Sequence, residues 1–140
     1  MNASNSVAAV GRIALALIFI LSGVGKLAAL QATQGYIQSV GVPLPALALW
    51  GAIVVELGGG LALAAGFQTR ATALALAGFS VLTAILFHAQ FADQNQMIHF
   101  LKNIAIMGGL LQVAAYGAPA FSVDRLTKRT SSRMREPLAG

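Results

Sequence analysis

Cysteine is absent from this 140-residue chain, and charge is scarce: nine Lys or Arg and four Asp or Glu, 9% of the residues. The first absence excludes disulfides, thiolate metal sites and thiol redox chemistry carried by the chain itself. The second is a statement about solvent. Soluble domains carry about a quarter charged residues. One short chain that is 57% hydrophobic has too few polar groups to cover its own surface, so lipid is the expected solvent. Two histidines and one carboxylate within the apolar runs fall short of a usual metal site, and none is expected. Phosphate-binding loops, nucleophile elbows and dinucleotide fingerprints are missing as well. The stretch "GGGLALAAG" lacks the preceding strand and polar helix start that a fingerprint requires. The net charge of +5 comes largely from one tail holding Arg125, Lys128, Arg129, Arg133 and Arg135. That tail has no aromatic residue for base stacking and follows an apolar run, so it reads as a membrane flank, with no nucleic-acid partner.

Four apolar runs are present, at about residues 7–30, 46–67, 71–91 and 99–118. Each is close to the ~20 residues a helix needs to cross ~30 Å of hydrocarbon. The alternation of a membrane barrel is absent. The expected fold is all-α, a single four-helix transmembrane bundle over residues 1–123. The segments between runs are polar or contain Gly41, Pro43 and Pro45, and Pro119 stops the last helix. Residues 124–140 are expected to be a disordered basic tail.

Four spans put both ends of the chain on one side. Arg12, Arg70 and the five basic tail residues gather there, against Lys26 and Lys102 opposite. The positive-inside rule therefore makes both termini cytoplasmic. Arg12 followed by an apolar stretch also resembles a signal peptide. The run continues past Lys26 without a convincing cleavage site, so an uncleaved span is expected.

Glu56 is the one charged residue in the second run. At ~1.5 Å per residue, and with Arg12 and Arg70 anchored at the inner boundary, Lys26 and Glu56 both lie about 21 Å above it. His88 falls at about 27 Å and Lys102, with Asn103 beside it, at about 25 Å. One polar layer thus forms in the outer half of the bundle. An ionised group alone in hydrocarbon costs at least ~2.5–3.5 kcal/mol, so Glu56 is expected to pair with Lys26, to be protonated, or to alternate. Ser22 lies one turn from Lys26 on the same face. Gly23, Gly25, Gly58, Gly59 and Gly60 let backbones approach. Plainer roles stand beside these. An ion pair is more often a clamp than a catalytic dyad. Lys102 has a snorkelling role open to it, and His88 that of an interfacial hydrogen-bonder. His99 sits at a turn. Gln112 is expected to bond a neighbouring helix, and the phenylalanines to pack.

The segments "GRIALALIFILSGVGKL", "GVPLP", "VELGGGLALAAGFQTRATALAL", "FH" and "FLKNIAIMGGLL", in this order, closely resemble the DoxX family of small bacterial and archaeal membrane proteins. The resemblance covers about residues 10–117 and places Lys26, Glu56, Arg70, His88, Lys102 and Asn103 where the family has its charged and polar positions. It implies a four-helix inner-membrane protein with a redox association, some relatives being subunits of a thiosulfate:quinone oxidoreductase. Where relatives use cysteine this chain has none. The expected function is redox-associated, on or beside a quinone, with Glu56 and His88 handling protons and Lys26, Lys102, Asn103 and Ser22 holding the ligand. A quinone is the candidate cofactor, none being bound covalently. Beyond the bilayer, the candidate partners are membrane or periplasmic redox proteins or a second copy of the chain. Whether the chain is itself an enzyme stays open. So do two alternatives, a non-enzymatic scaffold subunit and a small-solute or proton pathway.

Overall fold

The computed structural model describes residues 3–134. It is all-helical: α1 (Ala3–Ala28), α2 (Leu30–Ser39), α3 (Pro45–Ala65), α4 (Thr69–His88), α5 (Gln94–Tyr116) and α6 (Val123–Met134). Four of these, α1, α3, α4 and α5, are long and apolar enough to cross a membrane. They form an integral-membrane bundle, with α1 packed chiefly on α3, α4 on α5, and α3 joining the two pairs.

Local sequence accounts for the helix ends. Pro45 starts α3, where its missing N–H costs nothing, and Gly66 ends it in the left-handed region at φ 68°. The Asp93 carboxylate accepts from the N–H groups of Asn95 and Gln96 at 2.8 and 3.3 Å. That cap starts α5 at Gln94, several residues before the expected 99.

Two segments are more ordered than the sequence suggests. The polar connection after the first run contains α2. Its Leu30, Thr33 and Ile37 follow helical spacing, and Ile37 packs with Leu49 and Ile53 in a small apolar cluster. The glycine and prolines that close this connection mask that period. The tail, expected to be disordered, is helical over Val123–Met134; residues 135–140, with Arg135, lie outside the described residues.

The backbones of α1 and α3 approach closely where they cross. A Cβ on Gly60 would lie 3.2 Å from the Ile20 nitrogen and 3.3 Å from the Ala16 carbonyl oxygen, and one on Gly23 2.7 Å from Leu57. Gly59 faces Leu76 of α4 instead, while Gly25 and Gly58 meet nothing within 4 Å. Around this crossing a core of Ala16, Phe19, Leu63, Ala73, Leu76, Ala77 and Leu110 fills the half nearer the termini. Gln112 is exposed on α5 and makes no hydrogen bond to a neighbouring helix among the described residues, contrary to expectation.

The termini end is closed by a clamp. Arg12, expected as an anchor at the inner boundary, is buried in protein there and only 2% exposed. Its Nη2 donates to the carbonyls of Phe121 at 2.7 Å and Ala64 at 3.4 Å, because the chain after Pro119 folds back under the bundle. Asp124 caps α4 from 55 residues away. Its carboxylate accepts from the N–H of Gln68 (2.7 Å), the N–H of Thr69 (2.8 Å) and the Thr69 hydroxyl (2.6 Å). Partial burial pushes the Asp124 carboxyl up. The Thr69 hydroxyl, the two N–H groups and nearby Lys128 together pull harder, and hold it below its ordinary 3.8.

A depressed carboxyl stabilises the fold above its unfolded value, and that contribution is lost as pH falls through the folded one. Asp124→Asn is expected to lower stability by ~1 kcal/mol at neutral pH. In thermal melts the gap between wild type and variant should close as the pH drops below 3.8. A gap that does not change with pH would show that the carboxylate charge does not contribute.

Candidate functional site

The polar residues of the far half converge. Lys26 extends from α1 to α3, where its Nζ donates to Glu56 Oε1 at 2.9 Å and lies 2.8 Å from Oε2. Ser22, one turn earlier, closes a triangle by accepting from Lys26 Nζ at 2.9 Å and donating to Glu56 Oε1 at 3.0 Å. The close α1–α3 approach at Gly23 brings the two backbones near enough for this contact. Glu56 is 5% exposed, the Lys26 side chain 23%. Oε2 has the ammonium charge beside it but no donor aligned on it among the described residues. Glu56 is thus electrostatically paired and one hydrogen bond short.

The triangle forms one wall of a cavity of about 800 Å³, within the range of small-molecule pockets. His88, Lys102 and Asn103 line the same space, as the depth argument expects. So all six candidate residues share one cavity. Its remaining walls are mainly apolar, with Phe19, Val55, Phe79 and Ile106 among them.

Four further residues belong to the site. His99 stacks on His88 with ring centroids 5.1 Å apart, and it too lines the cavity. His88 Nδ1 lies 2.8 Å from Gln96 Oε1. With that carbonyl as acceptor, Nδ1 carries the proton and the neutral ring leaves Nε2 as an acceptor. Asn103 donates to the His99 carbonyl at 3.1 Å. From α2, Thr33 and Tyr36 reach the cavity, and the Tyr36 ring stacks on Phe87 at 5.7 Å. Sequence reasoning missed these contributions for separate reasons. α2 read as a loop, and the early start of α5 brings Gln96 and His99 into helical register. The Asp93 cap is the signal that reveals the second. Among the described residues no three metal-ligating side chains come together.

The family model described as DoxX matches residues 7–89, more than half of the chain and every span but the last. The chain belongs to the DoxX family. Ser22, Lys26, Glu56 and His88 lie inside the DoxX match, and Lys102 and Asn103 beyond it. Two curated relatives extend past that limit, both from Escherichia coli strain K12. The chain is 46% identical over 120 residues to "Inner membrane protein YqjF", which covers 86% of this chain and 91% of the relative. It is 36% identical over 121 residues to "Inner membrane protein YphA", covering 83% and 86%. No solved structure matches this DoxX protein.

The pair lends itself to a double-mutant cycle. Glu56→Ala is expected to cost ~3 kcal/mol, the low end of the range for breaking a buried pair, because Lys26 keeps some exposure to the cavity. Lys26→Met combined with Glu56→Gln should recover part of that loss, with a coupling of ~0.5–3 kcal/mol. Additive single losses, measured by thermal unfolding in detergent, would show that the contact contributes nothing to stability.

Proposed function

We propose that this DoxX protein binds a quinone-type small molecule in the far-half cavity and takes part in membrane redox chemistry there. One observation carries the reading. Lys26, Glu56, His88, Lys102 and Asn103 face a single, mainly apolar space of about 800 Å³. A quinone has a flat apolar ring and two oxygens that need polar partners on opposite edges, and the residues present fit both demands. When bound it supplies a two-electron, two-proton couple. The chain supplies the rest. The two ammonium groups hold developing negative charge on an oxygen. Glu56 and the Nε2 of His88 accept or return protons, with Gln96 holding the His88 ring in place. Burial of Glu56 among apolar walls lowers the local dielectric and strengthens its contact with Lys26.

A scaffold reading has one observation in its favour: the Lys26–Glu56 contact joins α1 to α3, a cross-helix ion pair of the kind that fixes register. The pathway alternative has less. Toward the termini the core is packed, and Ser80 and Thr83 donate to their own helix at the Leu76 and Ser80 carbonyls. We propose that both termini are cytoplasmic, because Arg12, Arg70, Arg125 and Lys128 share one end of the bundle. Single cysteines at Ser39 and Thr127, probed with an impermeant maleimide on spheroplasts, should label at Ser39→Cys only. The opposite pattern inverts the protein.

A short-chain ubiquinone titrated into protein in nanodiscs should bind saturably, and Lys26→Met with Glu56→Gln should weaken binding at least ~10-fold, the equivalent of one charge-assisted hydrogen bond. His88→Gln keeps hydrogen bonding but carries no proton near neutral pH. It should retain expression and thermal stability while losing protection against quinone stress in a deletion strain. Absence of saturable binding together with full complementation by both variants would reject the quinone reading in favour of the scaffold.

A further inference from the structure

A second pocket, of about 490 Å³, opens at the termini end, and nothing in the proposed function uses it. Its polar lining is Arg70, Arg125, Lys128, Asp124 and Tyr116, with Gly117 as its floor. Three cations therefore face one carboxylate. That carboxylate is already engaged, since both Asp124 oxygens accept hydrogen bonds from Gln68 and Thr69. Among the described residues no ion pair links any of the three cations to an acid. Arg125 Nη1 donates to the Pro119 carbonyl at 3.2 Å, which fixes its guanidinium at the rim. Arg70 is positioned by Gly117, where the chain turns at φ 73°. A Cβ there would lie 3.3 Å from the Arg70 Nε.

We infer that this pocket is a headgroup site for an anionic phospholipid. The cations are those that suit a phosphodiester: two guanidinium forks and an ammonium lining one pocket. Location separates a lipid from a soluble anion. Arg70 opens one spanning helix, and Tyr116, 78% exposed, closes another, so both mark the boundary between hydrocarbon and headgroups. Leu74, one turn into the membrane from Arg70, is exposed on the same face of α4 and offers an apolar track for an acyl chain. Phe121 and Leu126 are also exposed, and Leu126 shares α6 with Arg125 and Lys128. That is the pattern of a helix lying in the interface with its apolar side toward the acyl region. The site does not depend on which leaflet it meets, or on the ligand of the far cavity.

The test uses full-length protein in a neutral detergent, with phosphatidylglycerol or phosphatidylcholine titrated in. Bound lipid is counted by native mass spectrometry, and stability is followed by melting. Phosphatidylglycerol should bind saturably and raise the melting temperature, and phosphatidylcholine should do neither. Arg125→Gln with Lys128→Gln should weaken phosphatidylglycerol binding ~25-fold, at ~5-fold per cation near a membrane surface. Lys128→Gln alone breaks no side-chain hydrogen bond among the described residues and should cost ~5-fold. Arg70→Lys keeps the charge but loses the fork, and should weaken binding less than either removal. Arg133→Gln with Arg135→Gln, farther along the tail, should leave binding unchanged. Equal binding of the two lipids would overturn the proposal, as would equal losses in the Arg133/Arg135 control. Displacement of the lipid by inorganic phosphate at the same concentration would make the pocket a soluble-anion site and overturn it too.

Discussion

Glu56 is a carboxylate in the middle of a helix whose other surroundings are hydrocarbon or protein, and the bundle is arranged around that one demand. A lone ion there is too costly to keep. The pairing cation must come from a neighbouring helix, and the Lys26 ammonium reaches Glu56 only if α1 and α3 lie close. Closeness in turn requires Gly23 and Gly60, since a methyl group at either would strike the opposing helix. The charge, the contact and the glycines form a chain of necessity running from one residue to the packing of half the molecule.

The pair does not exhaust Glu56. One oxygen remains without an aligned donor, and it sits in the wall of a cavity that also collects both histidines of the chain and its other far-side lysine. A clamp needs only its two members. Bringing His88, His99, Lys102 and Asn103 to the same space requires the cap at Asp93, which starts α5 early, and the tight pairing of α4 with α5. These features add little to the clamp, and the proposed ligand is what would use them.

The polar layer was legible in the sequence because helices convert residue counts into depth. Lys26 and Glu56 each stand fourteen residues from a basic anchor, and this equality survives folding even though Arg12 turns out to be buried rather than exposed. The family resemblance agreed with that depth argument and is borne out by the match over residues 7–89. What escaped notice lacks such a ruler. α2 carries only three inward positions between glycine and prolines. The Asp124 cap joins residues 55 apart through hydrogen bonds to backbone, which leave no periodic trace. The same is true of Arg12, whose partners are carbonyl oxygens and therefore invisible as residue types.

The distance between α4 and its cap bears on assembly. During synthesis the start of α4 is made before Phe121 and Asp124 exist as chain. Through that interval the turn after Gly66 has neither the carboxylate on its N–H groups nor the carbonyl that receives Arg12. Insertion of the spans and fastening of their common end are thus separate events, with the second waiting on the last part of the chain to be made. The Lys26–Glu56 contact and the helix packing need none of the tail, whereas the hydrogen bonds that close the termini end wait for it.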